Sequence, residues 1–143
     1  MKQGILLCVD DEAIVLNALR DQLRKVYGSK HIIEVAESAE EGLEILDELA
    51  GEGLLPLVII SDFLMPGMKG DAFLIEASKR FPFVITVMLS GQVEESAVQR
   101  TRDEAGLFSF FAKPWDSDEL LLCIDNGLKQ FAERFQEAQH GSH

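Results

Sequence analysis

Basic residues are scarce in this chain: 13 Lys and Arg stand against 25 Asp and Glu, for a formal charge of −12. Such a surface repels a phosphate backbone and an anionic leaflet, both of which are held by clustered Lys and Arg, so neither nucleic acid nor a membrane is expected as a direct partner. Long apolar runs are missing as well. The longest are Ile5 to Val9 and Leu57 to Ile60, the latter reaching back through Pro56 to Leu54 and Leu55, far short of the ~20 residues a membrane span requires. Lys2 ahead of these first apolar residues imitates an export signal, yet Asp10, Asp11 and Glu12 stop the run before it reaches the ~7–15 residues of a signal's apolar core. Cysteine is sparse. Cys8 in a strand-like run and Cys123 in a helix-like one set no framework of spacings, which reads as two buried, reduced thiols in a cytoplasmic protein.

What remains is an ordinary domain's worth of core. With 143 residues, 47% of them hydrophobic, one globular unit can bury roughly 68–70% of the surface its unfolded chain exposes. Five short, β-branched apolar runs alternate with stretches of helical period: Ile5 to Val9, Ile32 to Val35, Leu57 to Ile60, Val84 to Leu89 and Phe108 to Ala112. Between the first two, Val15, Leu19, Leu23 and Val26 recur at helical spacing, as Leu43, Leu46 and Leu49 do between the second and third. Ser38 and Glu41 fit a capping box. Further helices are expected over Asp71 to Arg80, Glu94 to Ala105, and from Asp116 to about Ala138, with glycines such as Gly28, Gly51, Gly70 and Gly106 falling between periodic stretches. Alternating strands and helices, with strands apolar on both faces, imply an α/β fold: a mostly parallel sheet covered on both sides.

Ligands of such sheets sit beyond the carboxyl ends of the strands. There the chain places Asp10, Asp11 and Glu12 after the first strand, Asp62 after the third, Ser90 after the fourth and Lys113 after the fifth. Any one of these carboxylates could be a helix cap. As a set they repel: two carboxylates ~4 Å apart cost ~4 kcal/mol at an effective dielectric of 20, so the cluster needs a cation. Hard oxygen donors with no histidine beside them suit Mg²⁺ and disfavour zinc, and no EF-hand loop is present to suit calcium. A metal completed by phosphate, a lysine and a hydroxyl for other phosphate oxygens, and a carboxylate to attack are the parts of phosphoryl transfer.

Asp10-Asp11, Ser61-Asp62-Phe63-Leu64-Met65-Pro66-Gly67-Met68-Lys69-Gly70, Leu89-Ser90-Gly91 and Phe110-Phe111-Ala112-Lys113-Pro114 together resemble the receiver domains of two-component response regulators, over about residues 4–131. The resemblance implies a flavodoxin-like, doubly wound sheet of order 2-1-3-4-5. It makes Asp62 the phosphoacceptor, Asp11 a direct Mg²⁺ ligand and Asp10 a ligand through water, with the backbone carbonyl of Leu64 completing the protein's share. Lys113 would contact the acceptor and the phosphoryl oxygens, and Ser90 would hydrogen-bond one of them. Phe110 matches the aromatic switch position, where a phenylalanine lacks the hydroxyl that fixes a tyrosine's rotamer. Leu64 and Gln92 would flank the phosphoryl group and slow its hydrolysis. The family tends to hold the Lys113–Pro114 peptide in cis.

The implied function is a phosphoacceptor. It takes its phosphoryl group from a sensor histidine kinase or phosphotransfer protein, because His31, His140 and His143 make no credible donor, and it switches an output surface on a domain in cis or a partner protein. The receiver is expected over 1–131. An apolar stripe through Leu120, Ile124, Leu128, Phe131 and Phe135 makes 132–139 a helical extension toward an output domain or a homodimer partner, the alternative being a tail folded on its own domain. Residues 140–143 look like a cloning remnant, through Gly141-Ser142-His143. The span from Asp11 to Asp62 is several positions longer than in compact family members, with the surplus placed between Leu49 and Pro56. Lys113-Pro114-Trp115-Asp116 also resembles receivers joined to HD-GYP phosphodiesterases, although Trp115 serves equally as an anchor for the last helix. Two other functions compete. A haloacid dehalogenase-type phosphatase would want an aspartate two positions after its nucleophile, where Glu12 follows Asp10. A constitutive interaction module would leave the acidic set and Lys113 unused.

Overall fold

The computed structural model describes residues 4–92 and 94–140. Lys2 and the Gly141-Ser142-His143 tail therefore lie outside the described residues. Strands and helices alternate strictly: β1 (Gly4–Val9), α1 (Ala13–Tyr27), β2 (Ile32–Ala36), α2 (Ala39–Gly51), β3 (Leu55–Ser61), α3 (Gly70–Arg80), β4 (Ile85–Ser90), α4 (Glu95–Ala105), β5 (Ser109–Ala112) and α5 (Ser117–His140). All strand pairs are parallel, in the order β2-β1-β3-β4-β5. This is the expected doubly wound α/β fold.

Alternation along the strands sorts the core into two layers. Ile5, Leu7 and Val9 of β1 face α2, α3 and α4, packing with Leu46, Phe73, Leu74 and Ala97. Leu6 and Cys8 point the other way, toward Leu16, Leu19 and Leu23 of α1 and Leu120 and Ile124 of α5. Both faces of the central strands β1, β3 and β4 are dry, hence their apolar runs, while the edge strands β2 and β5 are half-buried.

Helix ends follow local chemistry. Ser38 Oγ accepts from the Glu41 N–H at 3.1 Å, the backbone-facing half of the expected capping box. Asp116 caps α5 in the same way, its carboxylate accepting from the Glu119 N–H at 3.0 Å. Two glycines read as punctuation are helical instead: α2 runs through Gly51 and α3 begins at Gly70. The turn after α2 falls at Gly53, whose φ of +85° suits a residue without Cβ. β3 also starts earlier than expected, at Leu55. Its Pro56 sits where the register against β1 shifts, ahead of the pairing with β4 that begins at Val58, so its missing N–H costs no bond to that neighbour.

The last helix is long. Phe131 and Phe135 stack at 6.1 Å, Phe135 meets the edge of Phe83 at 6.2 Å, and Arg134 Nη1 donates to the carbonyls of Phe83 and Val84 at 3.5 Å each. From Gln136 to His140 every residue is exposed. No helix among the described residues is long and apolar enough to cross a membrane.

Candidate functional site

Parallel pairing brings the predicted residues to one rim. The Asp10 N–H donates to the Ala36 carbonyl at 3.1 Å, Asp62 N–H to Val9 at 2.9 Å, and Lys113 N–H to Ser90 at 2.9 Å. Asp10, Asp62 and Lys113 are thus each one step past a strand end and tied by backbone to a neighbouring strand, while Ser90, expected just after β4, is that strand's last residue. The Lys113–Pro114 peptide is cis. Gly67, with φ +80°, completes the Met65-Pro66-Gly67 turn after Asp62. Gly70 closes that loop. Its N–H donates to the Phe63 carbonyl at 2.9 Å, and a Cβ there would lie 1.9 Å from the Asp62 carbonyl oxygen.

Side chains converge from these anchors. Ligand oxygens of Asp10, Asp11 and Asp62 lie within 4.8 Å of one another. Lys113 Nζ sits 2.7 Å from Asp10 Oδ2, 3.2 Å from Glu12 Oε1 and 3.6 Å from Asp62 Oδ2. Each buried carboxylate uses its other oxygen on backbone: Asp10 Oδ1 accepts from the Glu12 N–H and Asp62 Oδ1 from the Phe63 N–H, both at 2.9 Å. Asp11, Asp62, Leu64, Ser90, Gln92 and Lys113 line one open cavity of about 310 Å³. Ser90 is buried, and its Oγ accepts from the Gln92 N–H at 3.3 Å.

Burial sets the electrostatics. It pushes the Asp62 carboxyl above its ordinary pKa, and the Asp10 charge beside it pushes further, more than Lys113 draws it back. Asp10 also lies above its ordinary value, through burial that outweighs its bonds to Lys113 and to the Glu12 N–H. For Lys113, burial acts downward, but the hydrogen bond and charge of Asp10, then Asp62 and Glu12, carry its pKa above the usual lysine value. Three carboxylates, Asp10, Glu12 and Asp62, share one ammonium, so negative charge is in excess. All the donors are hard oxygens, the chemistry that fits a magnesium ion held by one or two carboxylates plus phosphate.

Phe110 stands apart from the rim. It pairs with Met88 across β4 and β5 and packs, half-buried, on the core layer under α4. Trp115 is anchored as expected of a plain fastening: its Nε1 donates to Gln22 Oε1 at 3.3 Å, while Gln22 Nε2 donates to Ser117 Oγ at 2.9 Å. Gln22 and the Arg100–Asp71 ion pair at 3.2 Å, which joins α4 to α3, escaped the sequence reading because each joins side chains far apart in the chain. Glu12 was visible as a rim acid, but its contact with Lys113 was not.

A doubly wound sheet with three carboxylates and a lysine on its carboxyl rim defines a class of phosphoacceptor signalling domain. The family model of the response regulator receiver domain matches residues 6–125, and the chain belongs to that family. Over 120 residues it is 30% identical to the hydrogenase transcriptional regulatory protein HoxA of Cupriavidus necator, a match covering 84% of this chain and 23% of HoxA. With the transcriptional regulatory protein GlrR of Escherichia coli it shares 34% identity over 143 residues, 96% of this chain and 30% of GlrR. The chain therefore spans less than a third of these curated relatives. The signal receiver domain of an HD domain-containing protein from Pseudomonas fluorescens has the same fold, with a TM-score of 0.81 at 23% identity over 92% of this chain and 99% of that one.

Proposed function

We propose that Asp62 is the phosphoacceptor of this receiver. The observation that carries the reading is the meeting of three carboxylates within 4.8 Å, two of them, Asp10 and Asp62, paired with the Lys113 ammonium. A carboxylate oxygen of Asp62 attacks the phosphorus of a phosphohistidine on a sensor kinase or phosphotransfer protein; the new O–P bond forms as the N–P bond breaks, and the imidazole leaves with its electron pair. Asp11 directly, Asp10 through water, Asp62 and the Leu64 carbonyl would hold Mg²⁺, whose charge offsets that of the transferring oxygens. Lys113 neutralises another oxygen, and Ser90 donates a hydrogen bond to a third. Catalysis here is alignment and charge rather than proton transfer. Leu64 and Gln92 crowd the path of a hydrolytic water, which favours slow loss of the group.

The arriving group carries about −1.5 to −2 charges and draws Ser90 toward it, and Phe110 rotates inward as the serine vacates its place. The switched surface is α4, β5 and α5. Residues 1–131 form the receiver; 132–139 continue toward an output domain or a second copy of the chain, with Arg134 and Phe135 still packed on Phe83 and Val84 and the exposed turn from Gln136 onward supporting the reading. This domain would operate in the cytoplasm and would itself touch neither nucleic acid nor membrane.

The test is incubation with Mg²⁺ and a small acyl phosphate, read by intact mass. A single adduct absent from Asp62→Asn is expected. Continuous turnover lost in Asp10→Asn would make the protein a phosphatase, and no reaction would leave an interaction module.

A further inference from the structure

We infer that Glu12 is a positioning residue that detains Lys113 and thereby restrains phosphorylation, an inference that rests on Asp62 being the acceptor. An ammonium has three donors, and here three carboxylates face them, with the acceptor the most distant: Asp10 at 2.7 Å, Glu12 at 3.2 Å, Asp62 at 3.6 Å. Once the acidic set holds a cation and a phosphoryl group arrives, Lys113 must turn toward the phosphoryl oxygens. Asp10 and Asp62 are fixed by burial and by backbone donors. Glu12 differs from both. Its side chain is 62% exposed, so it can hold or release the lysine without moving the rim.

Its backbone makes it a rooted arm. Glu12 is the N-cap of α1, its N–H donates to Asp10 Oδ1 at 2.9 Å, and its carbonyl accepts from the Leu16 N–H at 3.1 Å. Its carboxylate makes no capping bond to the helix and reaches across to Lys113 instead. Glu12 thus competes with the phosphoryl oxygens for the one ammonium between them, and its own charge opposes the incoming anion. An exposed ion pair is a weak restraint, which limits the effect to about two- to fivefold.

Glu12→Gln keeps the shape and removes the charge. With the full chain at saturating Mg²⁺, beryllofluoride titrated by calorimetry should bind the variant about two- to fivefold tighter than wild type. Hydrogen exchange at the Lys113 ammonium, followed by NMR in Nζ-labelled protein without the analogue, should be at least about twofold faster in the variant if the contact is what holds it. Unchanged or weaker beryllofluoride binding overturns the inference. So does tighter binding with unchanged Lys113 exchange, which would assign the effect to bare charge. If wild type itself binds no beryllofluoride, the acceptor reading falls first, a result distinct from either.

Discussion

The two ends of the sheet are built from the same strands and by opposite rules. At the carboxyl end of β1, β3 and β5, Asp10 and Asp62 are buried beside a half-buried Lys113, with like charges in contact range, and both carboxyls sit above their ordinary pKa through burial. At the amino end the contacts are apolar: Phe83, Phe131 and Phe135 pack together, and Leu55, Leu57, Leu128 and His31 line a cavity of about 360 Å³ beside them. One end stores electrostatic cost that a cation or phosphoryl group can relieve; the other supplies burial that holds the sheet together regardless of ligand. Function and stability are thus separable along the strand axis.

Substitution at the charged end should show the largest effects. Asp62→Asn is expected to abolish the mass adduct altogether. In the absence of Mg²⁺ it should also stabilise the fold by about 1 kcal/mol, since it removes one of the crowded charges, a gain that urea unfolding would register. A destabilised Asp62→Asn would mean that the rim is not under repulsion. Next comes Gly70→Ala, whose methyl group would lie 1.9 Å from the Asp62 carbonyl oxygen. That overlap forces backbone to shift and should cost about 3 kcal/mol in the urea midpoint, with loss of beryllofluoride binding.

The sequence foretold the charged end better than the apolar one, for a physical reason. Strand ends are marked by a change from apolar to polar residue type, and in a parallel sheet all such ends share one rim, so Asp10, Asp11, Asp62, Ser90 and Lys113 could be placed together before any coordinates. Strand order came from family resemblance, because alternation alone does not say which strands are neighbours. The closure of Phe135 on Phe83 depends on where a long helix runs over the sheet, which periodicity does not encode. Gln22 fastening Trp115 and Ser117 across 93 and 95 positions left no local signal at all. Gly51 and Gly70 misled because helix ends tolerate glycine, and tertiary packing overrode the local preference.

At the apolar end the effects should be smaller and should leave chemistry alone. Phe135→Ala removes a half-buried ring with two aromatic neighbours and should cost about 1–2 kcal/mol. The rate of adduct formation with a small phosphodonor should remain within about twofold of wild type, a difference smaller than ~0.5 kcal/mol. A rate that fell with stability would show the two ends to be coupled through α5 or β4.

The smallest effect is a difference in pH response between the ends. His31 is buried, its Nδ1 has no partner, and burial followed by the nearby Lys30 charge lowers its pKa from the ordinary 6.5. Below that value the unfolded chain takes up a proton that the folded protein refuses, so stability from this end falls as pH drops through 6.5. Asp10 and Asp62 act with the opposite sign. Their folded pKa values are raised from 3.8, so the folded state binds protons first and gains stability as pH falls toward that value. Unfolding free energies from urea titrations between pH 7.5 and 5.5 should therefore decline for wild type relative to His31→Leu, by no more than about 1.4 kcal/mol over that whole range for a single proton. Parallel profiles would remove His31 from the balance, whereas a wild type that gained on the variant with acidification would mean that the histidine charges more readily folded than unfolded.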